Sequence, residues 1–106
     1  MNVLARALAL AALAGTLPAS AQDRIAARPE FARNQAAACA SCHAARDTGA
    51  GGLPVLVGKP RAYLAQTLKD FRDGRRSGTL MPQLARGYDD TQIEAIAAWY
   101  SGEGRP

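Results

Sequence analysis

Cys39-Ala40-Ser41-Cys42-His43 constrains this chain more than any other segment. Two thiols three positions apart, with an imidazole directly after the second, are the spacing of c-type haem attachment. Over one helical turn both sulfurs reach the vinyl groups along one porphyrin edge, and the next residue brings its imidazole to the iron. Other chemistries use the same residue types. A Cys39–Cys42 disulfide or thiol-exchange site is expected beside a βαβ pattern, and the sequence has none. A structural zinc takes four ligands, and this segment offers three. The motif therefore predicts a haem bonded to Cys39 and Cys42, with His43 as an iron ligand.

The remaining iron ligand is narrowed by scarcity. His43 is the only histidine, which excludes a second imidazole, and Met81 is the only methionine besides Met1. A thioether favours reduced iron and raises the potential, so it suits a carrier of electrons. A lone methionine is often core filler. Met81, however, lies in a polar stretch beside Pro82, outside any helical apolar stripe. Met81 is expected as the second axial ligand, with Lys59, Lys69 or an open or water-filled position as the alternatives. Pro54 follows His43 by eleven residues. Its carbonyl is placed to accept the other imidazole N–H and so orient the ring; from spacing alone, a proline that stiffens the loop fits equally well.

The rest of the chain organises around that site. Met1–Arg6 is basic, Ala7–Leu17 is apolar, and Ala19-Ser20-Ala21 is a small-x-small site. This order predicts a cleavable secretory signal over residues 1–21 and a periplasmic destination. The apolar run has eleven residues, short of the roughly 20 a spanning helix needs, and no other segment comes closer to a membrane span. A single domain is expected over residues 22–106. A domain this small usually needs a cofactor, metal or staple, and at 6% aromatic residues it would draw apolar bulk from a buried haem. The predicted mature part carries 12 Lys and Arg against 9 acids. Two propionates bring this near neutrality, so the charge gives no case for nucleic acid.

An all-α fold is expected, with three main helices and two long loops wrapped around one haem. Gln22–Pro29 reads as a loose terminus, and Ala-rich Glu30–Cys42 as a first helix. Ala44–Gly58 reads as a loop containing Gly49–Gly52. Pro60 suits the first position of a second helix that stops at Gly74, with Tyr63, Leu64, Leu68 and Phe71 along one side. Arg75–Tyr88 reads as irregular. Asp89 and Gln92 form a capping pair for the last helix, whose stripe is Ile93, Ile96, Ala97 and Tyr100 and whose end is Gly102. Leu53–Val57 is the nearest approach to a strand, and Pro54 interrupts it. Arg61, Arg72, Arg75, Arg76 and Arg86 read mainly as a solvated face. Trp99 and Tyr100 read as core where the first and last helices cross.

With those residues placed, the chain resembles a class I c-type cytochrome over about Glu30–Gly102. Pro54-Val55-Leu56-Val57-Gly58 looks like the P-x-L-x-G stretch of the cytochrome c4/c553 group. Tyr63-Leu64, Phe71, Gly74 and Arg76 match that group's Y-L…F-x-x-G-x-R pattern. The resemblance implies that Pro54 supplies the carbonyl for His43. A narrower likeness lies in Leu80-Met81, Leu84-Ala85-Arg86-Gly87-Tyr88 and Ile93-Glu94-Ala95-Ile96-Ala97. These look like the cytochrome subunit of flavocytochrome c sulfide dehydrogenases, which accepts electrons from a separate flavin (FAD) subunit. Ala44 and Pro82 stand where that family usually or often has Gly.

One-electron transfer is the expected function, as such a subunit or as a free carrier to an oxidase or reductase. The chain shows no nucleophile, paired-carboxylate or phosphate-loop motif, so it is not expected to be an enzyme by itself. A haem sensor or peroxidase would need an open sixth position.

Overall fold

The computed structural model describes residues 19–43 and 53–103. Residues 1–18 of the signal expected over 1–21, and the glycine loop Gly49–Gly52, lie outside them. The described residues form α1 (Ala19–Ala26), α2 (Pro29–Ala36), α3 (Arg61–Arg72), α4 (Met81–Ala85) and α5 (Asp90–Ser101), with a 3-10 helix at Ala37–Ser41 directly after α2. No strand occurs among them, and the described residues form an all-α fold.

α5 is the organising element. Its start is fixed as the sequence indicates: the Asp89 carboxylate accepts from Gln92 N–H at 2.8 Å, and the Gln92 side chain accepts from Asp89 N–H at 2.9 Å. A reciprocal cap of this kind satisfies two donors the helix cannot. Its end is fixed by Gly102 at φ +92°, a left-handed conformation that costs glycine little. Between the caps, Ile93, Ile96, Ala97 and Tyr100 are all buried.

α1, α2 and α3 each pack on α5, and α4 packs on α3. The main core joins Ala36 from α2, Leu64 and Ala65 from α3, and the α5 stripe, with Leu56, Val57, Leu68, Tyr88 and Trp99 against it. Alanine dominates the contacts because a methyl side chain lets helix axes approach closely. Ile93 is completely buried; burying it stabilises the fold by about 1.5–3 kcal/mol.

Four expectations need correction. Gln22–Pro29 is not a loose terminus: α1 runs through Ala26, which is buried with Ala32 and Ala95 and packed beside Phe31 and Trp99. The first helix is α-helical only from Pro29 to Ala36 and then tightens to 3-10 winding, so it does not run unbroken to Cys42. The stretch 75–88 is not wholly irregular, since Met81 opens the short helix α4 with Pro82 in its first turn, where a missing N–H costs nothing. Tyr63 does not join Leu64 in the core. It is 49% exposed and its ring lies under the Lys59 ammonium, 5.6 Å from the centroid.

Candidate haem site

The Cys-x-x-Cys-His segment sits where α2 gives way to the 3-10 helix. His43 N–H donates to the Cys39 carbonyl at 2.9 Å and Cys42 N–H to the same oxygen at 3.3 Å. One carbonyl thus gathers the motif into a single turn. No disulfide joins the two cysteines. Cys39 packs against the main core, and its burial pushes the thiol pKa up; Cys42 is exposed.

His43 Nδ1 lies 2.7 Å from the Pro54 carbonyl oxygen. A carbonyl only accepts, so Nδ1 carries the proton and donates it. In the neutral ring the Nε2 lone pair is then left for a metal. Among the described residues no group of three or more His, Cys, Asp or Glu side chains is arranged to hold a metal ion. The motif offers one imidazole nitrogen for an iron and two sulfurs for the vinyl groups, which is what covalent haem attachment needs.

A porphyrin also needs apolar surface. Leu53, beside Pro54, is 60% exposed, and Leu80, beside Met81, is 53% exposed; Leu84 and Tyr63 are exposed to nearly the same degree. Large apolar side chains left in water next to Pro54 and Met81 fit a chain that wraps a flat apolar group. Met81 itself is half-buried at the start of α4.

The basic residues mostly pair with the chain's own carboxylates. Arg61 contacts Glu94 and Glu103, Arg72 bonds Asp73 and Asp90, and Arg75 bonds Asp70 and Asp73. Lys69 Nζ lies 3.0 Å from Glu94, and Lys59 lies over Tyr63. Both lysines weighed as iron ligands thus have other partners.

A family described as "Cytochrome C oxidase, cbb3-type, subunit III" matches residues 26–99. The chain belongs to this family of c-type cytochromes, which carry covalently bound haem c with iron. It is 39% identical over 98 residues to the "Thiosulfate dehydrogenase electron acceptor" of Thiomonas intermedia, covering 91% of this chain and 43% of that protein. Cytochrome c-554(548) of Halomonas halodenitrificans is 38% identical over 69 residues, which is 61% of this chain and 83% of the relative. The "Cytochrome subunit of sulfide dehydrogenase" of Chlorobaculum tepidum is 34% identical over 62 residues, 58% of this chain and 56% of the relative. The chain thus spans less than half the length of its thiosulfate dehydrogenase relatives. These relatives are cytochromes, one of them named as an electron acceptor.

Proposed function

We propose that the chain carries one electron at a time in the periplasm through a haem bonded to Cys39 and Cys42 and held axially by His43 and Met81. The observation that carries this is the His43–Pro54 hydrogen bond in the turn that bears Cys39 and Cys42. It commits Nδ1 to the protein and leaves Nε2 for iron. When bound, the haem supplies a metal that cycles between ferric and ferrous states. With His43 and Met81 both holding the iron, arrival and departure of the electron would require little rearrangement. The Pro54 carbonyl holds the imidazole plane and strengthens its donation. Lys59 and Lys69, engaged elsewhere, leave Met81 as the available side chain for the far position.

The donor we infer is a dehydrogenase that oxidises reduced inorganic sulfur. Residues Leu80–Ala97 point to the sulfide-oxidising flavoprotein class, with FAD in the partner. The wider match, over 91% of this chain, is to a relative named for thiosulfate dehydrogenase and favours that donor. Oxidised holoprotein mixed with each dehydrogenase and its substrate tests the reading. Reduction within the enzyme's turnover time by one of the two supports it, and no reduction by either rejects it. A free carrier between other enzymes is the second reading, favoured by the 83% coverage of cytochrome c-554(548).

The signal over residues 1–21 remains part of the proposal. No helix among the described residues is long and apolar enough to cross a membrane. Cleavage after Ala21 would cut within α1, leaving Gln22–Ala26 to pack on α5. Mass spectrometry of the exported protein locates the cut directly.

A further inference from the structure

Gly78 stands in the segment between α3 and α4, and what it provides is space: its φ is not among the positive ones. A Cβ at this position would lie 3.2 Å from Pro82 Cδ and 3.3 Å from Phe71 Cε1. Both distances are shorter than ordinary van der Waals contact, and both neighbours are rings with no flexible end to swing away. Phe71 is anchored on α3 and has the Arg76 guanidinium 5.2 Å from its ring centroid. Pro82 is fixed in the backbone of α4, its φ locked by the pyrrolidine. The space a side chain would take at Gly78 is therefore bordered by both rings.

Met81 is the residue joined to Pro82. The loop is tightened further by Gln83, whose N–H donates to the Leu80 carbonyl at 3.0 Å and whose side chain donates to the Thr79 carbonyl at 3.3 Å. We propose that Gly78, Phe71 and Pro82 form a brace that sets the backbone position of Met81, and with it the strength of the sulfur–iron bond. Gly78 and Phe71 are positioning residues that act through Pro82. The inference rests on Met81 being the far axial ligand. The contact lies outside the buried core: Gly78 is exposed, and Phe71 and Pro82 are half-buried. Disturbing it falls on the ligand loop before it falls on the fold.

The test uses ferric holoprotein with two readouts, the sulfur-to-iron charge-transfer band and titration with imidazole as a competing ligand. Gly78→Ala forces the rings apart and is expected to weaken the band and tighten imidazole binding at least about tenfold. Phe71→Leu alone opens a gap beside Gly78 and is expected to tighten imidazole binding too. Combined, the two substitutions exchange volume, so the double variant should recover part of the band lost in Gly78→Ala. General destabilisation would not produce that recovery. Wild-type band and imidazole affinity in Gly78→Ala overturn the brace; should that variant not accumulate, wild-type affinity in Phe71→Leu overturns it instead. Met81→Ala separates this from the parent reading. If the wild type has no band and binds imidazole as tightly as Met81→Ala, the ligand assignment fails and the brace with it. If Met81→Ala alone changes both readouts, only the brace fails.

Discussion

The Tyr100 hydroxyl donates to the Ala36 carbonyl at 2.9 Å, across 64 residues of sequence. Tyr100 is near the end of α5, and Ala36 closes α2 directly before the turn that bears Cys39. Both residues are buried, so the bond ties the last helix to the haem-attachment segment inside the core.

Tyr100→Phe keeps the ring and removes only the donor. Loss of such a bond costs about 1 kcal/mol, which lowers Tm by about 4–8 °C in a domain of this size. Thermal unfolding of the holoprotein followed by far-UV dichroism measures the shift. Tyr100→Ala removes the ring as well and should cost about 3–5 kcal/mol. An unchanged Tm in Tyr100→Phe would show that the Ala36 carbonyl finds another donor without loss.

Acid should weaken the fold through the segment that leads to Met81. The Gln66 amide and then Arg75 hold the Asp70 pKa below its ordinary value, and Arg72 does the same for Asp73. The folded pKa values lie below the unfolded ones. The stabilisation is therefore complete above about pH 4 and is lost as the pH falls through the folded values. Asp70→Asn removes one of these groups. Urea unfolding at about pH 7 and about pH 3 should show a smaller drop in stability for Asp70→Asn than for the wild type. An equal drop would place the acid-sensitive contacts elsewhere.

Pro54 offers a backbone atom to His43, so no side-chain change at position 54 deletes the hydrogen bond. Pro54→Ala should keep the imidazole orientation and leave the reduction potential nearly unchanged. It should lose about 0.4–1 kcal/mol of stability by freeing the unfolded chain. Voltammetry and chemical denaturation read the two quantities separately. A large shift in potential would mean that the proline ring, and not only its carbonyl, fixes the ligand.

Sequence reasoning succeeded where a residue's chemistry is local. Asp89 and Gln92 cap α5 because their side chains reach backbone groups three residues away, and such reach is visible in a string of letters. Gly74 ends the turn after α3 at φ +79° for an equally local reason. The Ile93–Tyr100 stripe was legible because bulky residues recur at helical spacing. α1 was not, because its buried contact is Ala26 against Ala32 and Ala95, and alanine carries no contrast between core and surface. The 3-10 tightening after Ala36 and the helical turn at Met81 escaped for a related reason. The turn at Met81 packs against α3, a distant element, and the 3-10 segment packs on α2 before it; neither contact is written in the local pattern of residues. At the site, the Cys39–His43 motif announced the cofactor's chemistry, whereas the fit of Gly78 between Phe71 and Pro82 needed coordinates.

The central claim is most directly tested by the mass and absorption of the exported, matured protein under denaturing conditions. The account predicts the polypeptide mass plus one haem, no titratable thiol, and a pyridine haemochrome spectrum of a porphyrin whose two vinyl groups are saturated by Cys39 and Cys42. A colourless polypeptide with two free thiols, or a haem that extracts into acidified solvent, would contradict it.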